Sequence, residues 1–233
     1  MMKTFKITLL IILISYKAFA SDFSQLNMDN YNINKANLEK GDIQLFYKNF
    51  KNNNTGEKKQ ITGIILVNAP VNLVWNIISD WDSMGEYVPC LKYYKTLYQV
   101  EYDKQSSIKR SIIEGYIKIP LPFINKRINL FVNFYEGNQL ISWKLLTDEQ
   151  KYYYKDKGIK IKRSNRYLKK MEGFTRINQY YDNNNQTIFY YVLKIEISVP
   201  VPFFVKKFLY ETSLKGFMQS IKIRSENFMS FEN

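Results

Sequence analysis

The chain has no histidine, one cysteine, 9 glycines and 6 prolines in 233 residues. Without histidine, Ser-His-Asp and Cys-His nucleophilic catalysis are excluded, and so is a zinc site built from His and Cys. A single cysteine, Cys90, excludes an internal disulfide, so the fold must rest on packing. Acidic residues are few, 21 against 34 Lys and Arg, which leaves a net charge of +13. The apolar run Ile7 to Ile14 is eight residues long, well short of the roughly 20 that a membrane-spanning helix needs.

That short run has a different reading. Lys3 and Lys6 precede it and Ala18-Phe19-Ala20 follows it, the layout of a secretory signal peptide cleaved after Ala20. No cysteine follows the site, so a lipid-anchored lipoprotein is not expected. The remaining 213 residues carry +10 once Lys3, Lys6 and Lys17 are removed. The expected location is periplasmic or secreted. Export argues against a nucleic-acid partner, while a basic surface makes an anionic membrane a candidate peripheral contact. Lys, Asn, Ile, Tyr and Phe are all abundant, as AT-rich coding DNA would produce, and that accounts for much of the charge.

What is present reads as strands followed by a helix. Residues 21–40 are polar and Asn-rich, a loose lead-in with room for a short helix, and residues 41–233 read as one domain. Ile43 to Phe50 and Gln60 to Val67 form a hairpin across Asn52-Asn53-Asn54-Thr55-Gly56. Pro70 then stands at a first helical position, and Val71, Val74, Trp75 and Ile78 recur at helical spacing. Strand-like runs follow at Lys92 to Tyr102, Ser107 to Ile119, Ile128 to Phe134, Ile141 to Leu145, Asn165 to Lys170, Thr175 to Tyr181 and Thr187 to Ile197. The connections within this series are mostly short turns, which implies antiparallel pairing. A helix is expected from about Val201 to Phe228, with Phe203, Tyr210, Leu214, Phe217, Met218, Ile221 and Phe228 on one stripe. The start of that helix is apolar all round, with Val205, Phe208 and Leu209 on its other side. The fold class is therefore α+β: a curved antiparallel β-sheet wrapped around a long C-terminal α-helix, with a short helix after the second strand.

Three segments carry a resemblance. They are Val67-Asn68-Ala69-Pro70 running on to Val74-Trp75, Ile78 and Asp80; Ile119-Pro120-Leu121-Pro122-Phe123-Ile124-Asn125-Lys126-Arg127; and Gly173-Phe174-Thr175-Arg176-Ile177 with Pro200-Val201-Pro202 further on. In order and spacing they resemble the START-like superfamily, also called SRPBCC or helix-grip, which includes polyketide cyclase/dehydrase-like and coenzyme Q-binding families. The likeness spans residues 41–228. Beside Arg127 the family's usual acids are replaced by Asn125 and Asn129.

The resemblance implies a hydrophobic cavity between the sheet and the terminal helix. Its candidate lining is Val132, Phe134, Trp143, Tyr191 and Leu193 from strands, and Tyr210, Leu214 and Phe217 from the helix. Arg127 is either a donor to a ligand headgroup or the partner of a carboxylate at a strand end. The expected ligand is a hydrophobic small molecule, a lipid, sterol-like compound, isoprenoid or quinone, held without cofactor or metal. Exchange with a membrane would open the helix start or the facing loop Asp82 to Pro89. Two other readings stand beside it. One is a polyketide cyclase or dehydratase, for which Asp80 and Glu114 are the acids nearest apolar segments, although no paired base accompanies them. The other is a basic interaction protein with a filled core. The segment Lys151 to Arg163, six basic residues among three tyrosines, reads as a solvated hairpin or as a peripheral membrane contact.

Overall fold

The computed structural model describes residues 31–50, 58–103, 108–118, 126–164, 168–197 and 207–232. The signal-peptide reading, the Asn52–Gly56 turn, the Pro120–Asn125 turn and the Pro200–Pro202 helix start lie outside these residues. The chain divides into two compact units, Met1–Ala36 and Asn37–Asn233, and the second carries the sheet.

In order, the elements are α1 (Lys35–Glu39), β1 (Gln44–Phe50), β2 (Lys58–Val67), α2 (Val71–Ser79), α3 (Met84–Tyr87), β3 (Leu91–Asp103), β4 (Ile108–Ile117), β5 (Arg127–Tyr135), β6 (Leu140–Leu145), α4 (Asp148–Asp156), β7 (Leu168–Tyr180), β8 (Asn183–Ile197), a π-helical turn at Phe208–Thr212 and α5 (Ser213–Glu232). The strands form one antiparallel sheet in the order β1-β2-β8-β7-β6-β5-β4-β3. β2 and β3 are neighbours in sequence but lie far apart in the sheet, and α2 and α3 make the crossing. The edge strand β3 slips register against β4 at three places. Such bulges bend a strand and add twist, which curves this end of the sheet.

Strand alternation decides what the concave face holds. Along β5, Ile128, Leu130, Val132 and Phe134 are buried on that face, while Arg127, Asn129, Phe131, Asn133 and Tyr135 point the other way. The helix α5 lies against the concave face through Leu214, Met218 and Ile221, all nearly inaccessible. Gly63 on β2 makes this approach possible. A Cβ there would run into Met218 Sδ and come within 2.7 Å of Leu214 Cδ2. The far half of α5 is tied down by polar contacts: Lys222 Nζ donates to Leu66 O at 3.1 Å and pairs with Glu226, whose carboxylate accepts from the Asn68 backbone N–H at 2.8 Å.

Four sequence expectations are adjusted. Pro70 caps α2 rather than opening it: it is extended (φ −66°, ψ 151°) and its carbonyl accepts from Val74 N at 3.2 Å. The apolar stripe on α5 stops short of Phe228, which is 44% exposed and lies under the Arg224 guanidinium instead. β7 runs unbroken through Glu172 and Gly173, where the sequence suggests a gap between two strands. A glycine in a strand also allows a large side chain to lie directly on the backbone, and here the Trp143 ring occupies the place a Cβ would need.

The fourth concerns Lys151 to Arg163. It is not a hairpin. Thr147 and Gln150 form a reciprocal capping box that starts helix α4. The chain then continues as a strap whose Ile161 joins Ile112 and Leu146 in a second apolar cluster on the convex face. Asn129 Nδ2 donates to Lys162 O at 2.9 Å and holds the strap there.

Candidate functional site

Aromatic side chains converge where α2, the link to α3, the sheet and α5 meet. Trp143 from β6, Tyr191 from β8 and Phe217 from α5 stack in series, with ring centroids 5.1 Å and 5.0 Å apart. Trp81, on the link between α2 and α3, closes the group at 4.8 Å from Tyr94 of β3 and 6.0 Å from Trp143. Ile78, Met84, Ile141 and Thr175 complete the lining. Neighbours at these distances and tilted angles attract beyond their simple burial.

The space they enclose is about 10 Å³, room for roughly one water. The side chains therefore fill the chamber almost completely. Thr175 Oγ1 and Trp81 Nε1 are buried with no hydrogen-bond partner. Leaving such a group unpaired costs about 1–3 kcal/mol. Burial pushes the Tyr94 and Tyr191 phenols up, and the neighbouring Cys90 thiol adds to both shifts. Burial also pushes Cys90 itself up to about 11. The thiol donates weakly to Ser213 O, 3.6 Å away at the start of α5. At neutral pH Cys90 is a thiol rather than a thiolate, so it has little nucleophilic character.

A second space lies behind Trp81. It is a half-open cleft of about 310 Å³ bounded by the end of α2, by β3 and β4, and by Phe134 of β5. Its walls are polar: Asn76, Ser79, Asp80, Asp82, Thr96, Gln99, Lys109 and Ser111. Asp82 is already engaged, accepting from Thr96 N at 2.7 Å and Thr96 Oγ1 at 2.8 Å. Lys109 Nζ sits 5.6 Å from the Phe134 ring centroid.

The residues nominated from sequence divide cleanly. Trp143, Tyr191 and Phe217 line the chamber, and Phe134 lines the cleft. Val132, Leu193 and Leu214 belong to the same concave-face core without touching either space. Tyr210 falls within the π-helical turn, and its side chain lies outside the described residues. Arg127 is elsewhere. It stands on the convex face, where its Nε lies 3.3 Å from Glu114 Oε2, while Glu114 Oε1 accepts from Tyr93 Oη at 2.8 Å. Of the two roles open to Arg127, the strand-end partnership with a carboxylate is the one formed. The acid comes from β4 rather than from the positions of Asn125 or Asn129.

Trp81, Tyr94 and Thr175, with the apolar Ile78, Met84 and Ile141, are the chamber residues that the sequence does not nominate. Thr175 had a usable signal: strand parity with Gly173 and Ile177 puts it on the concave face once β7 is read as continuous. Trp81 had none, because it belongs to no periodic element. Among the described residues no group of three or more His, Cys, Asp or Glu is placed to hold a metal ion.

No family model matches the sequence, and the comparison with curated proteins found no match. Solved structures are similar in fold. The Zhui aromatase/cyclase of Streptomyces sp. R1128 superposes with a TM-score of 0.55 at 12% identity, over 72% of this chain and 94% of that one. A START superfamily protein of Mycobacterium smegmatis gives 0.52 at 15% identity, over 72% and 98%. A Thermus thermophilus protein gives 0.50 at 11% identity, over 72% and 97%. With eight antiparallel strands curved around a C-terminal helix and left open as a sheet, this chain has the START-like, helix-grip fold.

Proposed function

We propose that this protein binds a hydrophobic small molecule, a lipid, isoprenoid or quinone, between the concave face of the sheet and α5. The observation that carries the reading is the chamber itself: five aromatic rings around two buried polar atoms without partners, Thr175 Oγ1 and Trp81 Nε1. Ligand sites combine apolar walls with a few polar groups that set orientation. A core shaped only for stability gains nothing from unpaired hydroxyl and indole groups. Each CH₂ moved from water into the chamber contributes about 0.8 kcal/mol, so binding needs no further chemistry.

The fold also occurs in the aromatase/cyclase named above, and a cyclase-type activity is the second reading. The chamber lining favours a carrier. Its described titratable groups are the Tyr94 and Tyr191 phenols, which burial holds protonated. Asp80 lines the cleft and Glu114 is paired on the convex face, so neither can serve as general acid inside the chamber.

The signal-peptide layout of residues 1–20 supports a binding site outside the cytoplasm, in the periplasm or secreted. Helix α4 suits a peripheral contact with an anionic membrane. Tyr152 and Tyr153 are 77% and 52% exposed, and Lys155 and Lys157 are exposed beside them. Tyrosines settle at the headgroup level and lysines meet anionic lipid.

Native mass spectrometry of the protein purified from its host, with organic extraction of whatever it carries, tests the binding reading. A co-purifying apolar molecule names the ligand class. Ligand-free protein that also takes up no fluorescent apolar probe overturns it. Sedimentation with anionic and neutral vesicles tests the membrane contact, which fails if both retain the same amount of protein.

A further inference from the structure

The filled chamber poses a question of access. Nothing larger than a water fits the 10 Å³ present, so a ligand must displace at least one ring. Trp143 has little freedom, being pressed on Gly173 and flanked by Tyr191. Tyr94 lies directly on Gly115. Phe217 is carried by α5, which is packed and tied at its far end. Trp81 differs on three counts. It sits on the irregular link between the end of α2 at Ser79 and the start of α3 at Met84. It is the residue that lines both the chamber and the 310 Å³ cleft. Its Nε1 has no partner where it stands.

We propose that the cleft is the entrance and polar subsite of the chamber, with Trp81 as the movable partition between them. The inference rests on the binding reading above. When the indole turns into the cleft, its N–H meets a wall rich in acceptors, including the Asp80 carboxylate and the Gln99 amide. The hydrogen bond missing in the closed state then becomes available, so the open state has a compensating gain. The turn forfeits the faces of Tyr94 and Trp143, and a ligand recovers them only by presenting a flat ring of its own. The ligand class that follows is amphipathic: a flat apolar ring system in the chamber, in place of the indole, and a hydrogen-bonding end left in the cleft beside Lys109 and Ser111.

Stopped-flow uptake of the uncharged fluorescent probe N-phenyl-1-naphthylamine by the full chain tests this. Gln99→Trp adds bulk at the exposed rim of the cleft, away from the chamber, and is expected to slow uptake several-fold. Trp81→Ala removes the partition and is expected to speed it several-fold. Circular dichroism establishes that each variant folds; if Trp81→Ala does not, Gln99→Trp decides alone, because its position is exposed. Wild-type uptake at a rate the folded variants leave unchanged overturns the entrance and leaves the binding reading standing. No uptake by the wild type overturns both.

Discussion

The two faces of the sheet near β4 and β5 hold polar groups by opposite means. On the convex face, Glu114 is paired with Arg127 and accepts a hydrogen bond from the Tyr93 hydroxyl. On the concave face, Tyr94, Tyr191, Cys90 and Thr175 are polar groups kept neutral among aromatic rings. The two sets are separated by no more than the thickness of a strand: Tyr93 and Tyr94 are adjacent in sequence and serve different sides. A pleated backbone sorts chemistry by parity, so a charge one residue away from a cavity can be wholly outside it. The described charged residues lie outside the chamber lining, so under the binding reading recognition there rests on shape and neutral hydrogen bonds.

The largest effect should come from opening the concave side. Trp143→Ala removes the ring at the centre of the stack and should cost about 3–5 kcal/mol, as such truncations do in packed cores. Urea denaturation measures it. If the chamber is a ligand site, the variant that remains folded should also admit more apolar probe than the wild type. A loss below about 1 kcal/mol would mean that the surrounding rings collapse freely, and the contrast between a rigid chamber and its surroundings would fall.

Two glycines sharpen the same contrast. Gly173→Ala would drive a Cβ into the backbone carbonyl of Val192 and to within 2.9 Å of Trp143 Cε2. Neither a strand backbone nor a packed indole can retreat cheaply, so the cost should reach the upper end of the roughly 1–3 kcal/mol typical of overpacking. Gly63→Ala meets the ends of Met218 and Leu214, which are flexible side chains, and should cost less. Equal losses in thermal melts of the two variants would show that α5 is fixed as firmly as the sheet.

On the convex side, Glu114→Gln keeps the shape and the acceptor for Tyr93 but removes the negative charge that faces Arg127. Glu114 is 3% exposed, so the expected loss is about 1–3 kcal/mol, the range for breaking one side of a buried polar pair. Probe uptake should not change, because no part of this cluster reaches the chamber. A change in uptake with unchanged stability would bring Arg127 back as a ligand contact.

The sequence made the sheet legible because its strands alternate and its turns are rich in Gly, Asn and Asp. Trp143, Tyr191 and Phe217 could be nominated by parity and helical spacing alone. For Arg127, parity with Asn129 and Asn133 was the available sign that it faces away from the cavity; its partner was not legible, because Glu114 comes from a separate strand. Helix α4 escaped notice because its outward residues are Tyr and Lys and its inward contacts are few, so no apolar period marks it; Thr147 and Gln150 of the capping box were the available sign. Trp81 lies in a link, where no periodicity predicts a direction.

The smallest effect concerns pH, and it turns on the neutral side of the comparison. Burial raises Cys90 from an ordinary 9.0 to about 11 in the folded chain, with Lys118 opposing weakly. Between those values the unfolded chain has lost a proton that the folded chain keeps. Stability is then fully present below about pH 9 and falls as pH rises toward 11. The Tyr94 and Tyr191 phenols, raised in the same direction, continue the loss above pH 10. On the convex face the Tyr93 phenol is raised as well, by burial first and then by its hydrogen bond to Glu114, and adds to the loss above pH 10. Cys90→Ala should therefore flatten the fall between pH 9 and pH 11 in urea midpoints while leaving the slope near neutrality as it was. An unaltered slope would mean that the thiol titrates as it does in water and is not held buried beneath Ser213 in the folded chain.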